Sequence, residues 1–90
     1  MNIAIVEDEK IKLEALEIFL RVYIKNFWSD CESKIHIETF HCAKEFLTFF
    51  SPKIYHIVIL GVNMKEIAQI IRANGHSDVK IIFLNDCEED

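Results

Sequence analysis

Glu7, Asp8 and Glu9 are the densest cluster of groups able to do chemistry in this 90-residue chain. Three adjacent carboxylates repel one another, and a hard cation such as Mg²⁺, which takes oxygen ligands, is the usual partner for such a cluster. The acids follow directly on Ile3-Ala4-Ile5-Val6, an apolar run of the kind that forms a parallel strand buried on both faces. Such a strand carries its last residues to the carboxyl end of the sheet, where open α/β folds bind their ligands. A second origin for the acids is a solvated helix start, because the helix dipole favours Asp and Glu in the first turn. Both can hold at once.

Other reactive side chains are sparse. Cys31, Cys42 and Cys87 are odd in number and sit in no C-x-x-C spacing, which reads as free thiols in a reducing compartment. His41 adjoins Cys42, but neighbouring residues project to different sides of a backbone, so the pair carries little weight as a metal site. His36 falls on the polar side of an alternating segment and is expected to face solvent. No nucleophile lies beside a base, so an independent enzyme is not expected.

The frame around these residues is that of an ordinary globular chain. With 51% hydrophobic residues, 2 Gly and 1 Pro, it is neither a linker nor a disordered segment. Its length fits one domain, 1–90, near the lower end of what buries a self-sufficient core. The formal net charge of -5 and the scattered lysines argue against a nucleic-acid surface. No apolar run is long enough to span a membrane and no signal pattern opens the chain, so a cytoplasmic location is expected.

Hydrophobic spacing then divides the chain into elements. Residues 9–27 read as a helix with one stripe of Leu13, Leu16, Leu20, Tyr23 and Phe27, and a second of Ile11, Ala15, Ile18 and Val22 beside it. An apolar arc that wide calls for more than one neighbour to cover it. Glu14 and Glu17 set against Lys10 and Arg21 supply i,i+4 pairs on the remaining face. Residues 29–33 form a polar break, and 34–40 alternate around Ile35 and Ile37 as an edge strand. A short helix over about 43–50, burying Phe46, Leu47 and Phe50, stops at Ser51-Pro52-Lys53. Ile57–Leu60 is a second continuous apolar strand. Residues 65–74 are helical with Ile67, Ile70 and Ile71 inward, and Asn74-Gly75 suits a left-handed cap. Residues 79–84 form a last strand before an acidic tail, 85–90. The order βαβαβαβ predicts a parallel sheet joined by right-handed crossovers.

Ile3–Glu9, Glu38-Thr39-Phe40, Glu45-Phe46-Leu47, Ile57–Leu60, Ile71-Arg72 and Ile81–Leu84, in that order and spacing, resemble the receiver domain of bacterial two-component response regulators. The likeness is closest to the branch whose receivers precede a LytTR-type DNA-binding domain. It implies a flavodoxin-like parallel sheet with alternating helices, here truncated after the fourth strand in the order 2-1-3-4. The fourth helix, fifth strand and fifth helix of the family have no counterpart, so the domain is incomplete. The resemblance also implies a chemistry in which an Asp ending the third strand takes a phosphoryl group from a phosphohistidine, with Mg²⁺ on the acidic pair offsetting the repulsion between two anions.

Carried over residue by residue, Glu7 and Asp8 match the acidic pair, with Asp8 as the direct metal ligand and Glu7 acting through water. The remaining positions depart from the pattern. Gly61 stands where the phosphoacceptor Asp belongs and cannot form a mixed anhydride. Asn85 stands at the switch position that holds Ser or Thr, and Val62-Asn63-Met64 is a shortened loop. Glu66, a turn into the third helix, and Asp86, past the fourth strand, are the acids considered as stand-ins, and neither occupies the in-line position. Mg²⁺ should therefore be held weakly.

The expectation is a receiver-type signalling module that accepts no phosphate and acts by contact with a sensor histidine kinase, a phosphotransfer protein or another response regulator. Two alternatives stay open: a fragment of a LytTR-type transcriptional regulator, and a small structural or dimerising protein. Without the missing helix, the arc on residues 9–27 and one face of strands 57–60 and 79–84 lose their cover. Homodimerisation or association through that open sheet face is expected.

Overall fold

The computed structural model describes residues 1–51, 54–75 and 78–84. Pro52, Asn85, Asp86, Cys87 and the acidic tail lie outside the described residues. The elements run β1 (Asn2–Val6), α1 (Lys10–Phe27), a 3-10 stretch (Ser29–Lys34), β2 (His36–Phe40), α2 (Ala43–Phe49), β3 (Ile57–Leu60), α3 (Lys65–Ala73) and β4 (Lys80–Phe83). All neighbouring strands are parallel, in the order β2-β1-β3-β4. The expected α/β sheet is therefore present. The polar break at 29–33 is itself a 3-10 stretch, and β2 starts at His36 because that stretch holds the residues before it.

Strand composition follows from position in the sheet. β1 and β3 lie between two strand neighbours; β1 is buried on both faces, whereas in β3 Val58 and Leu60 are buried and Ile57 and Ile59 only half-buried. Ala4, Val6, Val58 and Leu60 enter one core layer with Phe46, Ile67, Ile71 and Val79. Phe40, Phe46 and Tyr55 close one end of that layer, with Phe40 and Phe46 edge to face at 5.3 Å. The Tyr55 hydroxyl donates to the Glu38 carboxylate. Burial, and then Glu38, push its ionisation up to about 12.

The opposite face has a thinner cover. There α1 alone packs on the sheet, burying Leu13 and Ile24 and half-burying Leu16 and Leu20. Tyr23 and Phe27, expected on the inward stripe, are exposed, as is the whole second stripe from Ile11 to Val22. Two stripes give a helix two candidate faces, and a sheet four strands wide accepts one. In α3 the inward set is Ile67, Ala68 and Ile71 rather than Ile70, which is exposed. Small Ala68 lets the helix approach the sheet closely. Gly75, just past α3, takes a positive φ of 79°, as a left-handed cap requires. Among the described residues, no helix is long and apolar enough to cross a membrane.

Candidate functional site

The order β2-β1-β3-β4 creates a switch point. From β1 the chain crosses to β2 on one side, and then back past β1 to β3 on the other. In open parallel sheets the crevice at such a point, beyond the carboxyl ends of the strands, is where ligands sit. Here the crevice lies between the residues that follow β1 and β3. Val6 is paired with Leu60, so Glu7 and Gly61 come next to each other. The ladder continues through them: the Gly61 amide donates to the Val6 carbonyl at 2.8 Å, and the Glu7 amide donates to the Phe40 carbonyl at 2.9 Å.

Glu7 does not project into solvent as a metal ligand would. It is 5% exposed, the one charged residue among the buried set. Its side chain folds over Gly61: a Cβ built on that glycine would fall 1.9 Å from Glu7 Oε1 and 2.8 Å from Glu7 Cδ. The space in front of Gly61 is thus filled by the carboxylate of Glu7, the residue that follows β1. The other oxygen, Oε2, accepts a hydrogen bond from the Glu9 amide at 3.0 Å. Burial raises the Glu7 carboxyl above its ordinary 4.5; the neighbouring Asp8 raises it further, while the Glu9 amide and Lys12 act the other way. Glu7 and Gly61, expected as one of an acidic pair and as an empty acceptor position, lie against each other in the structure as an interlocked pair.

Asp8 is exposed and borders a separate polar hollow with Lys10, Glu14, Thr39 and His41. Glu9 precedes α1 without capping it through its side chain, and no acid stands in the helix's first turn, which holds Lys10 and Lys12. The dipole account of the acidic run therefore reaches no further than the residues before the helix. Glu9 meets Lys12 at 3.6 Å in an exposed pair that contributes little. Glu66, on α3, is exposed, and Asn85 and Asp86 lie outside the described residues.

A Mg²⁺ ion needs several oxygens aimed at one point in near-octahedral array. Glu7 is turned onto Gly61 and shares a hydrogen bond with the Asp8 carboxyl, so the acidic pair as placed supplies too few free oxygens for that demand. Among the described residues, no three His, Cys, Asp or Glu side chains are placed to hold a metal ion. Cys31 and Cys42 are free.

Beside Glu7 opens a groove of about 370 Å³, walled by Ala15, Leu16 and Phe19 of α1 and by Val62 and Leu84 on the sheet side. Ile82, 39% exposed and two residues from Leu84 on the same face of the strand, continues its apolar character onto β4. β4 is the last strand of the sheet, so its outer edge has no strand partner among the described residues. This is the face on which cover was expected to be missing. No protein-family model, no curated protein and no solved structure matches this chain.

Proposed function

We propose that this chain is a receiver-type signalling module of a two-component phosphorelay that takes no phosphate and acts by protein contact. On this reading the four-stranded parallel sheet is of the flavodoxin-like receiver type. Its partner is a sensor histidine kinase, a phosphotransfer protein or another response regulator of the cytoplasm. It catalyses no reaction of its own and does not depend on Mg²⁺.

The observation that carries the proposal is the Glu7 carboxylate lying in the space of a missing side chain at Gly61. Glycine has no atom to accept a phosphoryl group. Glu7 is a poor replacement because it is buried, because one oxygen is engaged by the Glu9 amide, and because its raised pKa favours the neutral acid. Phosphoryl transfer needs an anionic nucleophile with an open in-line approach, and a buried carboxyl seated on Gly61 offers no such approach. A crevice plugged in this way favours one fixed conformation, which suits a module read by its shape.

Intact-mass measurement after incubation with acetyl phosphate and Mg²⁺ tests this directly. The expected result is an unchanged mass. A stable added phosphoryl group overturns the proposal, and its disappearance in Glu7→Gln would make Glu7 a substitute acceptor.

A further inference from the structure

Helix α1 has two apolar faces, and the sheet uses only one. Leu13 and Ile24 are buried against it. On the other side Ile11, Ala15, Ile18 and Val22 recur at intervals of four, three and four residues. At about 100° per residue these four fall within roughly 60° of arc, nearly opposite Leu13 and Ile24. Ile11, Ile18 and Val22 are 82%, 63% and 50% exposed, and Ala15 is exposed as well. A surface helix of a monomer ordinarily places its polar residues there. In α1 the polar residues Lys10, Glu14, Arg21 and Lys25 stand to one side, and exposed Phe19 stands on the other.

We propose that this outer stripe is a dimer interface, in which α1 packs antiparallel against α1 of a second copy of this chain. The four-three-four spacing is the period of a two-helix seam, and a seam of that kind is self-complementary about a two-fold axis. With the axis passing between residues 16 and 17, Ile11 of each copy meets Val22 of the other, and Ile18 meets Ala15. Large residues then face small or β-branched ones, and Ala15 admits the close helix approach that such packing needs. A parallel pair would instead set Ala15 against Ala15 and leave a void.

The area is also sufficient. The stripe with Phe19 offers roughly 500 Å² of mostly apolar surface per copy, so a pair that buried all of it would cover about 1,000 Å², the size expected of a biological contact. The stripe points away from the sheet and meets the groove beside Glu7 along Ala15 and Phe19, so the two surfaces adjoin, with Ile18 and Val22 belonging to the stripe alone and Leu84 to the groove alone. The dimer does not rest on the receiver reading.

Sedimentation velocity on the full chain, at about 1 to 100 µM, tests the inference. The expected result is a reversible dimer. Ile18→Glu should weaken it by about 100-fold or more, with the far-UV circular dichroism unchanged because the side chain is mostly exposed. Val22→Lys should do the same, and Leu84→Lys in the groove should leave the dimer intact. A monomer throughout this range overturns the proposal. So does a dimer that survives both helix substitutions, and a dimer lost only with Leu84→Lys would assign the interface to the open sheet face instead.

Discussion

Gly61→Ala is the smallest change that probes the interlocked pair. The added methyl would stand 1.9 Å from Glu7 Oε1, far inside contact distance, yet 3.4 Å from the Val6 carbonyl oxygen, an ordinary contact. Gly61 has no positive φ, so alanine is compatible with its backbone. The obstacle is therefore the end of a flexible side chain, and Glu7 must swing away from its seat. It loses the bond from the Glu9 amide, a loss of about 1–2 kcal/mol. Two effects oppose that loss. Ejecting Glu7 relieves the cost of burying a carboxylate, and replacing glycine stabilises by about 0.4–1 kcal/mol through the unfolded chain. The net change at neutral pH should be a destabilisation of no more than about 1 kcal/mol.

Coupling is more diagnostic than that small net effect. In a Glu7→Ala background the seat is empty, so Gly61→Ala should become neutral or stabilise by about 0.4–1 kcal/mol. The two substitutions should then be non-additive by about 1–2 kcal/mol in a double-mutant cycle. Urea unfolding followed by circular dichroism at a fixed pH supplies the four stabilities. Additivity within about 0.3–0.5 kcal/mol would refute the interlock, since independent sites behave that way and touching ones do not.

Two further predictions concern protons. Because the Glu7 carboxyl is raised, the folded state holds its proton more tightly than the unfolded chain does. Its contribution to stability is complete below 4.5 and lost as pH rises through the folded value. Glu7→Gln should therefore gain on the wild type as pH is raised from about 4.5 towards neutrality, and unfolding curves that stay parallel over that range would show Glu7 to be unperturbed. Tyr55 is raised for a related reason, with burial first and Glu38 second, and one tyrosine should titrate at about 12 in ultraviolet difference spectra. Tyr55→Phe should remove that transition and cost about 1 kcal/mol for the lost bond to Glu38; a variant that retains the late transition would assign it elsewhere.

The parallel sheet is legible in the chain because Ile3–Val6 and Ile57–Leu60 are uninterrupted apolar runs, which central strands with helices on both faces produce. β2 shows itself differently, through half-buried Ile35 and Ile37 alternating with exposed His36 and Glu38, as an edge strand should. Helix faces are harder to read. α1 offers apolar residues around most of its circumference, so periodicity alone does not choose Ile24 over Tyr23 or Phe27 as the inward residue. In α3, Ile70 has the chemistry of a core residue, yet it is exposed while Ala68 is buried beside Ile67 and Ile71. Choosing between such faces requires the partner surface, which no local pattern contains.

The same limit governs the site. Taken one at a time, Glu7 is one acid in a run of three and Gly61 is a glycine at the end of an apolar run. Only the pairing of Val6 with Leu60 makes them neighbours, and only then does the length of Glu7 match the space left by Gly61. The match matters for what such a module could do. An acceptor lost without compensation would leave an open acidic crevice, still able to attract a cation and to change shape when it came. A crevice closed by its own carboxylate removes that response along with the phosphate chemistry. What remains variable is occupancy of the exposed apolar surfaces on α1 and β4, and occupancy is set by concentration through mass action rather than by a covalent switch. On the proposed reading, this chain would signal by how much of it is present and what it binds, with its conformation held constant.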